Sequence, residues 1–256
     1  MSWRYGRMST FKDHFSGHSQ EYSTFRPDYP AQLFARLASL CNERKLAWDC
    51  ATGSGQAAVS LAEFFDAVIA TDASANQISN ATPANGVTYS VAPAEQSGLK
   101  PGSADLITVA QALHWFNLDE FTEEAKRVLK AQGVLAVWTY GLFSVNPVLD
   151  ASIENLYGDI VGKYWAFERK MVEGGYADVE MPFESIEIKP MEMAQNWRFA
   201  DVIGYLNTWS AVRAYEKENG SNPLELVYED MLQAWGHPDV VRVVTWPLII
   251  RAWRKS

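Results

Sequence analysis

Four short stretches carry residue types whose chemistry and spacing suit the handling of a small, partly charged ligand. Asp49-Cys50-Ala51-Thr52-Gly53-Ser54-Gly55 ends a short apolar run. The glycines let a backbone approach a bound nucleotide where a side chain would collide. Gly53-Ser54-Gly55-Gln56-Ala57-Ala58 also satisfies the Gly-x-Gly-x-x-Ala dinucleotide pattern. Asp72, 17 positions after Gly55, ends the next apolar run. A carboxylate there can accept hydrogen bonds from both hydroxyls of a ribose, with helix capping toward Ser74 and Gln77 as its plainer role. Ala94-Glu95 offers an acceptor and a backbone amide to an adenine edge. Asp49 argues about charge: it disfavours a pyrophosphate at this turn and attracts a positively charged amino group. In Gln111-Ala112-Leu113-His114-Trp115-Phe116, His114 has the side chain that could serve as a general base or line a pocket.

These residues need elements to position them. Residues 46–48 read as a buried strand, 56–65 as an Ala-rich helix and 67–71 as a second strand. Ser74-Ala75-Asn76-Gln77 opens a further helix as a capping box. Strands follow at 87–91, 104–110 and 134–140, with a helix from Asn117 to Lys130 between the last two. Such alternation predicts a parallel sheet with helices on both faces, in which ligands bind beyond the carboxyl ends of the strands. After Tyr140 the alternation stops. A helix at 165–173, a strand at 183–188, one amphipathic helix from Phe199 to Val212, a helix at 224–235 and a strand at 240–253 complete the chain. The expectation is one domain over 28–256, with cap segments at about 141–182 and 195–236, preceded by an aromatic, polar arm at 1–27 that folds over the ligand as a flap.

Composition limits the partners. The chain of 256 residues has a net charge of −9, which argues against nucleic acid and anionic membranes. From Trp48 to Phe116 there is one basic residue against six acidic ones. No run is long and apolar enough for a membrane span or a signal peptide. Two cysteines, Cys41 and Cys50, make neither a disulfide framework nor a metal-ligand set, so no metal is expected and a reducing cytoplasm is the expected compartment. Most of the ten tryptophans lie after residue 114, in an aromatic-walled core or pocket. A small-molecule substrate and a monomer or homodimer are the expectation.

Taken together, these stretches resemble the class I S-adenosylmethionine-dependent methyltransferases. Residues 49–55 look like their first motif, Asp72 like their ribose acid, Ala94-Glu95 like their adenine loop and residues 110–116 like their strand-four motif. Gln-Ala-Leu-His-Trp-Phe and the N-terminal Tyr22-Ser23-Thr24-Phe25-Arg26-Pro27-Asp28-Tyr29-Pro30 are similar to the branch containing trans-aconitate methyltransferase. Ala51 departs from the family, which often has glycine there. The resemblance implies a Rossmann-like, doubly wound, seven-stranded α/β sheet, mostly parallel with an antiparallel C-terminal strand, plus a helical cap. It implies S-adenosyl-L-methionine held by Tyr22, Asp49, Ala51, Thr52, Gly53, Gly55, Asp72, Ala73, Gln77, Ala94, Glu95, Gln111 and Ala112.

Methyl transfer from a sulfonium needs alignment and exclusion of water more than it needs acid–base help. A carboxylate acceptor requires no base; a hydroxyl or amine would draw on His114. The acceptor is expected among Arg26, His114, Trp115, Trp138, Tyr205, Trp209 and Arg213, with guanidinium groups for a carboxylate and aromatic rings for an apolar body. Two other readings fit part of the pattern: a nicotinamide-dependent oxidoreductase, and an adenosyl-ligand-binding protein without catalysis.

Overall fold

Strands and helices alternate through the first half of the chain because apolar runs of five to seven residues alternate with segments whose apolar residues recur at helical spacing. The computed structural model describes residues 25–256, so most of the expected arm, Tyr22 included, lies outside the described residues. Helix α1 (Ala31–Leu40) begins after Pro30 and buries Leu33, Phe34, Leu37 and Ala38. Strand β1 (Leu46–Cys50), helix α2 (Gln56–Leu61), strand β2 (Ala67–Asp72), helix α3 (Ala75–Ser79) and strand β3 (Val87–Val91) follow. Strand β4 (Ala104–Ala110), helix α4 (Leu118–Val128) and strand β5 (Leu129–Tyr140) complete the alternating half. The five strands are parallel in the order β3-β2-β1-β4-β5. The order reverses between β1 and β4, and the carboxyl ends of those two strands flank the crevice where such sheets bind ligands.

The second half holds helices α5 (Pro147–Asn155) and α6 (Arg169–Glu173), strands β6 (Glu184–Ile186) and β7 (Met191–Trp197), helices α7 (Phe199–Asn207), α8 (Ser210–Asn219) and α9 (Tyr228–Trp235), and strand β8 (Arg242–Arg254). β8 runs antiparallel to β5, Val134 facing Arg254 and Tyr140 facing Leu248. On its other edge it pairs with β6 along 252–254 and with β7 along 242–248. Among the described residues the sheet thus has eight strands in seven positions, β6 and β7 lying end to end.

Three differences from the sequence reading have physical causes. The sequence reading has no strand at 191–197 and starts the cap at 195. β8 is longer than the part of it that β5 covers, and β7 satisfies backbone groups along an edge that β6 leaves bare. The expected single helix from 199 to 212 is broken at Thr208-Trp209. Trp209 is extended, with φ −65° and ψ 129°, and its buried indole packs on Tyr157 and Trp165. Apolar periodicity continues through the break because α7 and α8 bury residues in the same cluster. The strand expected at 134–140 begins at Leu129, with an irregularity around Gln132 (φ +64°) where its pairing with β4 shifts register.

The sheet separates two apolar layers. Ala47, Val68, Leu106, Ala136 and Trp138 face α1, α2 and the late helices. Trp48, Cys50, Ile107, Val109 and Val137 face α4 and α6. Among the described residues no helix is long and apolar enough to cross a membrane.

Candidate functional site

At the carboxyl end of β1 the chain turns through three left-handed residues, Ala51 (φ +56°), Gly53 (φ +56°) and Gly55 (φ +88°). The two glycines have different reasons. A β-carbon on Gly55 would strike the Tyr89 ring, whose hydroxyl donates to the Thr82 carbonyl at 2.7 Å. A β-carbon on Gly53 would meet no atom of the described residues within 4 Å, so among them its backbone borders space that a ligand can enter. Ala51 adopts a conformation that a β-carbon disfavours, which explains why glycine is common there in the family resembled.

Asp72 ends β2 and joins the two turns: Oδ2 accepts from Gly53 N–H at 2.9 Å and Oδ1 from Ser74 N–H at 2.8 Å. Ser74 caps α3 by accepting from Gln77 N–H at 3.3 Å. The Ser74 amide goes to Asp72, so that half of the expected capping box is taken by the aspartate. Ala73 is half-buried beside it and Gln77 is buried.

Asp49 is 1% exposed and faces inward. Its carboxylate accepts from Thr52 Oγ1 at 2.5 Å and from Thr108 Oγ1 at 2.7 Å, Thr108 being its register partner on β4. Burial raises its pKa to about 6, against the pull of the two threonine hydroxyls. The carboxylate is thus held inside the turn by Thr52 and Thr108, and the Thr52 amide donates to Thr71 O at 2.9 Å.

The remaining predicted ligand-binding side chains are partly engaged in the protein itself. Glu95 accepts from the Asn117 amide at 2.9 Å, at the N-cap of α4, while Ala94 is buried next to it. Gln111, at φ +54°, accepts from Thr139 Oγ1 at 2.6 Å and donates to the Tyr140 carbonyl at 3.1 Å, tying the end of β4 to β5. Ala112 is buried and leads into a short helical turn, Leu113–Trp115. In that turn His114 Nδ1 lies 2.9 Å from the Tyr176 hydroxyl, and the Trp115 ring, 37% exposed, is 4.7 Å from the imidazole. Burial, with Arg169 nearby, lowers the His114 pKa to about 3. A neutral imidazole so weakly basic makes a poor general base near neutral pH.

Residues 48–137 match the family described as a methyltransferase domain. A Dictyostelium discoideum protein assigned as a methyltransferase is 40% identical over 233 residues, covering 90% of this chain and 89% of its own. The chain belongs to the class I methyltransferases. The solved structure of a protein assigned as a type II methyltransferase from Anaeromyxobacter dehalogenans is 44% identical, with a TM-score of 0.85 over 90% of this chain and 97% of its own. A Saccharomyces cerevisiae protein assigned as an S-adenosylmethionine-dependent methyltransferase is 25% identical, covering 80% of this chain and 83% of its own. None of these three names states a methyl acceptor.

In this methyltransferase the segment just before α1 crosses the carboxyl edge of the sheet. Gln56 Nε2, at the start of α2, donates to the Pro27 carbonyl at 3.0 Å and to Asp28 Oδ1 at 2.9 Å. Arg26 donates to the Tyr140 hydroxyl at 3.1 Å and stacks 5.5 Å over the Tyr205 ring. Phe25 lies against Gly204 of α7. Arg26, Tyr140 and Tyr205 therefore meet at the end of β5, beneath α7. Burial and the neighbouring Tyr140 raise the Tyr205 pKa to about 12, so its hydroxyl stays protonated near neutrality.

Two expected acceptor residues are elsewhere. Trp138 is fully buried against Tyr29 and Phe34 and belongs to the layer under α1, because it lies deeper in β5 than Tyr140 on the same face and those two rings cover it. Trp209, 4% exposed, packs on Tyr157, Trp165 and Tyr205 as core of the cap. Arg213 is half-buried on α8. Two participants escaped the sequence reading. Thr108 becomes Asp49's partner only through strand register, and Tyr176 follows a Gly-Gly pair that reads as nothing more than a helix end.

Proposed function

We propose that this chain transfers the methyl group of S-adenosyl-L-methionine to a carboxylate oxygen of a small molecule. The observation that carries the reading is the convergence of three strand ends at the β1/β4 switch: the left-handed turn at 51–55, Asp72 bonded to Gly53, and the Gln111–Trp115 turn. Bound S-adenosyl-L-methionine would supply an activated methyl group on a sulfonium. Asp72, its orientation set by two backbone amides, would take the ribose. Ala94 and Glu95, with Ala73 and Gln77 beside them, would flank the adenine. The backbone at Ala51, Thr52, Gly53 and Gly55, with Gln111 and Ala112, would border the amino-acid end, where the Asp49 charge favours an ammonium group. The Glu95 carboxylate, bonded to Asn117, would serve mainly by fixing its loop.

On the acceptor side Arg26 is the group suited to a carboxylate, since a guanidinium offers a rigid fork of donors. Tyr205 supplies an aromatic wall, and His114 and Trp115 border the β4 side. The protein's task is to align carboxylate and methyl and to exclude water. Asp49 at the glycine turn disfavours a pyrophosphate, and membership of the methyltransferase family speaks against the nicotinamide-dependent alternative.

Titration calorimetry with S-adenosylhomocysteine and with NAD tests the cofactor. Binding of the first and not the second is expected, and the reverse would sink the proposal. Transfer of labelled methyl from S-adenosyl-L-methionine to a panel of carboxylic acids that includes trans-aconitate then tests the reaction. Binding with no transfer to any member would favour the ligand-binding reading.

A further inference from the structure

We propose that Tyr176 is a positioning residue that holds His114 in the tautomer with its proton on Nε2, so that this histidine offers the methyl acceptor a neutral hydrogen-bond donor and not a base. The inference builds on the reading of His114 as bordering the acceptor site. Tyr176 is 1% exposed, and its hydroxyl lies 2.9 Å from His114 Nδ1 with the two rings stacked at 6.2 Å. A buried hydroxyl must place its proton on an acceptor.

Among the described residues, the bond to His114 Nδ1 is the hydrogen bond this hydroxyl forms. Were Nδ1 the donor, the buried hydroxyl proton would be left without that acceptor, so the hydroxyl gives its own proton to Nδ1. Thr139 is the other neighbour of this hydroxyl. Its proton is committed to Gln111 Oε1 at 2.6 Å, and Gln111 is held that way round because its Nε2 donates to the Tyr140 carbonyl. Thr139 therefore offers Tyr176 only a lone pair, and an imidazole nitrogen is a much more basic acceptor than an alcohol oxygen. Nδ1 accepts, and the ring proton resides on Nε2. No other hydrogen bond of the imidazole is formed among the described residues.

The tyrosine is braced for this task. Tyr176 has φ +56° and follows Gly175 at φ +58°. Arg251 Nε of β8 donates to the Gly175 carbonyl at 3.0 Å, and a β-carbon on Gly175 would lie 2.8 Å from Ile249 Cδ1. A tyrosine in the left-handed region, fixed by a neighbouring strand, is strain of the sort that persists where position matters.

A donor on Nε2 matches a carboxylate acceptor. One carboxylate oxygen takes the N–H while the other attacks the methyl carbon. The new O–C bond forms as the S–C bond breaks and its electron pair returns to sulfur. Both charges are neutralised and no proton is released, so the reaction has no need of a base.

The test is heteronuclear NMR on the full chain with 15N-labelled histidine, which reports which ring nitrogen bears the proton. The chain has four histidines, and the His114 signals are those lost in His114→Gln. Expected is a protonated Nε2 and a bare Nδ1 that do not titrate between about pH 5 and 8. In Tyr176→Phe, which keeps the ring and loses the hydroxyl, the Nδ1-protonated form should rise severalfold. A protonated Nδ1 in the parent overturns the proposal. So does a Tyr176→Phe spectrum identical to the parent's. If Tyr176→Phe does not fold, the parent ring pattern still decides. A protein with the expected ring pattern that transfers no methyl group to any acid overturns the proposed reaction and leaves the tautomer assignment standing.

Discussion

Phe25 presses so closely on Gly204 of α7 that a β-carbon at position 204 would sit 2.5 Å from its ring. This contact joins the segment before α1 to the cap and places the neighbouring Arg26 beneath Tyr205. Ordinarily Gly→Ala within a helix is stabilising by about 1 kcal/mol. Here Gly204→Ala should instead destabilise, because the ring must move. In a Phe25→Ala background the same substitution should become stabilising. Denaturant unfolding of the four proteins in this double-mutant cycle measures the reversal of sign, and equal effects in both backgrounds would mean that the contact carries no energy.

Asp72→Ala should weaken S-adenosylhomocysteine binding by about 1.5–3 kcal/mol, the loss expected for hydrogen bonds to a charged group. The same change strands the Gly53 and Ser74 amides, so a modest fall in melting temperature should accompany it. Titration calorimetry on the folded variant is decisive; an unchanged dissociation constant would remove Asp72 from the ribose.

The buried Asp49 makes a signed prediction about pH. Its pKa is raised from 3.8 to about 6, chiefly by burial. Between those values the folded state binds more protons than the unfolded one, so this group's contribution to stability falls as pH rises through the window and is level above it. The full span is on the order of 3 kcal/mol. Asp49→Asn lacks the titrating group, so relative to the parent it should gain stability on going from about pH 4 to pH 8. Urea unfolding at the two pH values measures the difference. A constant gap would show that Asp49 titrates normally.

Ala51→Gly should stabilise the protein. The left-handed φ of +56° costs an alanine about 1–2 kcal/mol, while the added freedom of glycine in the unfolded chain returns about 0.5–1 kcal/mol of that gain. A net rise of up to about 1.5 kcal/mol in unfolding free energy is expected. A loss would show that the Ala51 methyl, which packs against the layer under α4, contributes more than the strain costs.

By itself the sequence determined the elements whose signals are local. Apolar runs marked β1 to β5, Gly53 and Gly55 marked the turn after β1, and Asp72 was legible because it ends the second run. Each of these follows from the identity of a few adjacent residues. The tertiary structure decided what depends on residues far apart in the chain. Strand register set Thr108 opposite Asp49, turning a carboxylate that reads as ligand-facing into a buried one held by two hydroxyls. The spare edge of β8 drew Met191–Trp197 into a strand that its own weakly apolar sequence does not announce. Trp138 and Tyr140 share one face of β5, yet Trp138 is sealed under α1 while Tyr140, at the strand's end, reaches Arg26. Periodicity assigns a side chain to a face. What covers that face is fixed only when the distant segments pack, and His114 met Tyr176 in the same way, across 62 positions of chain.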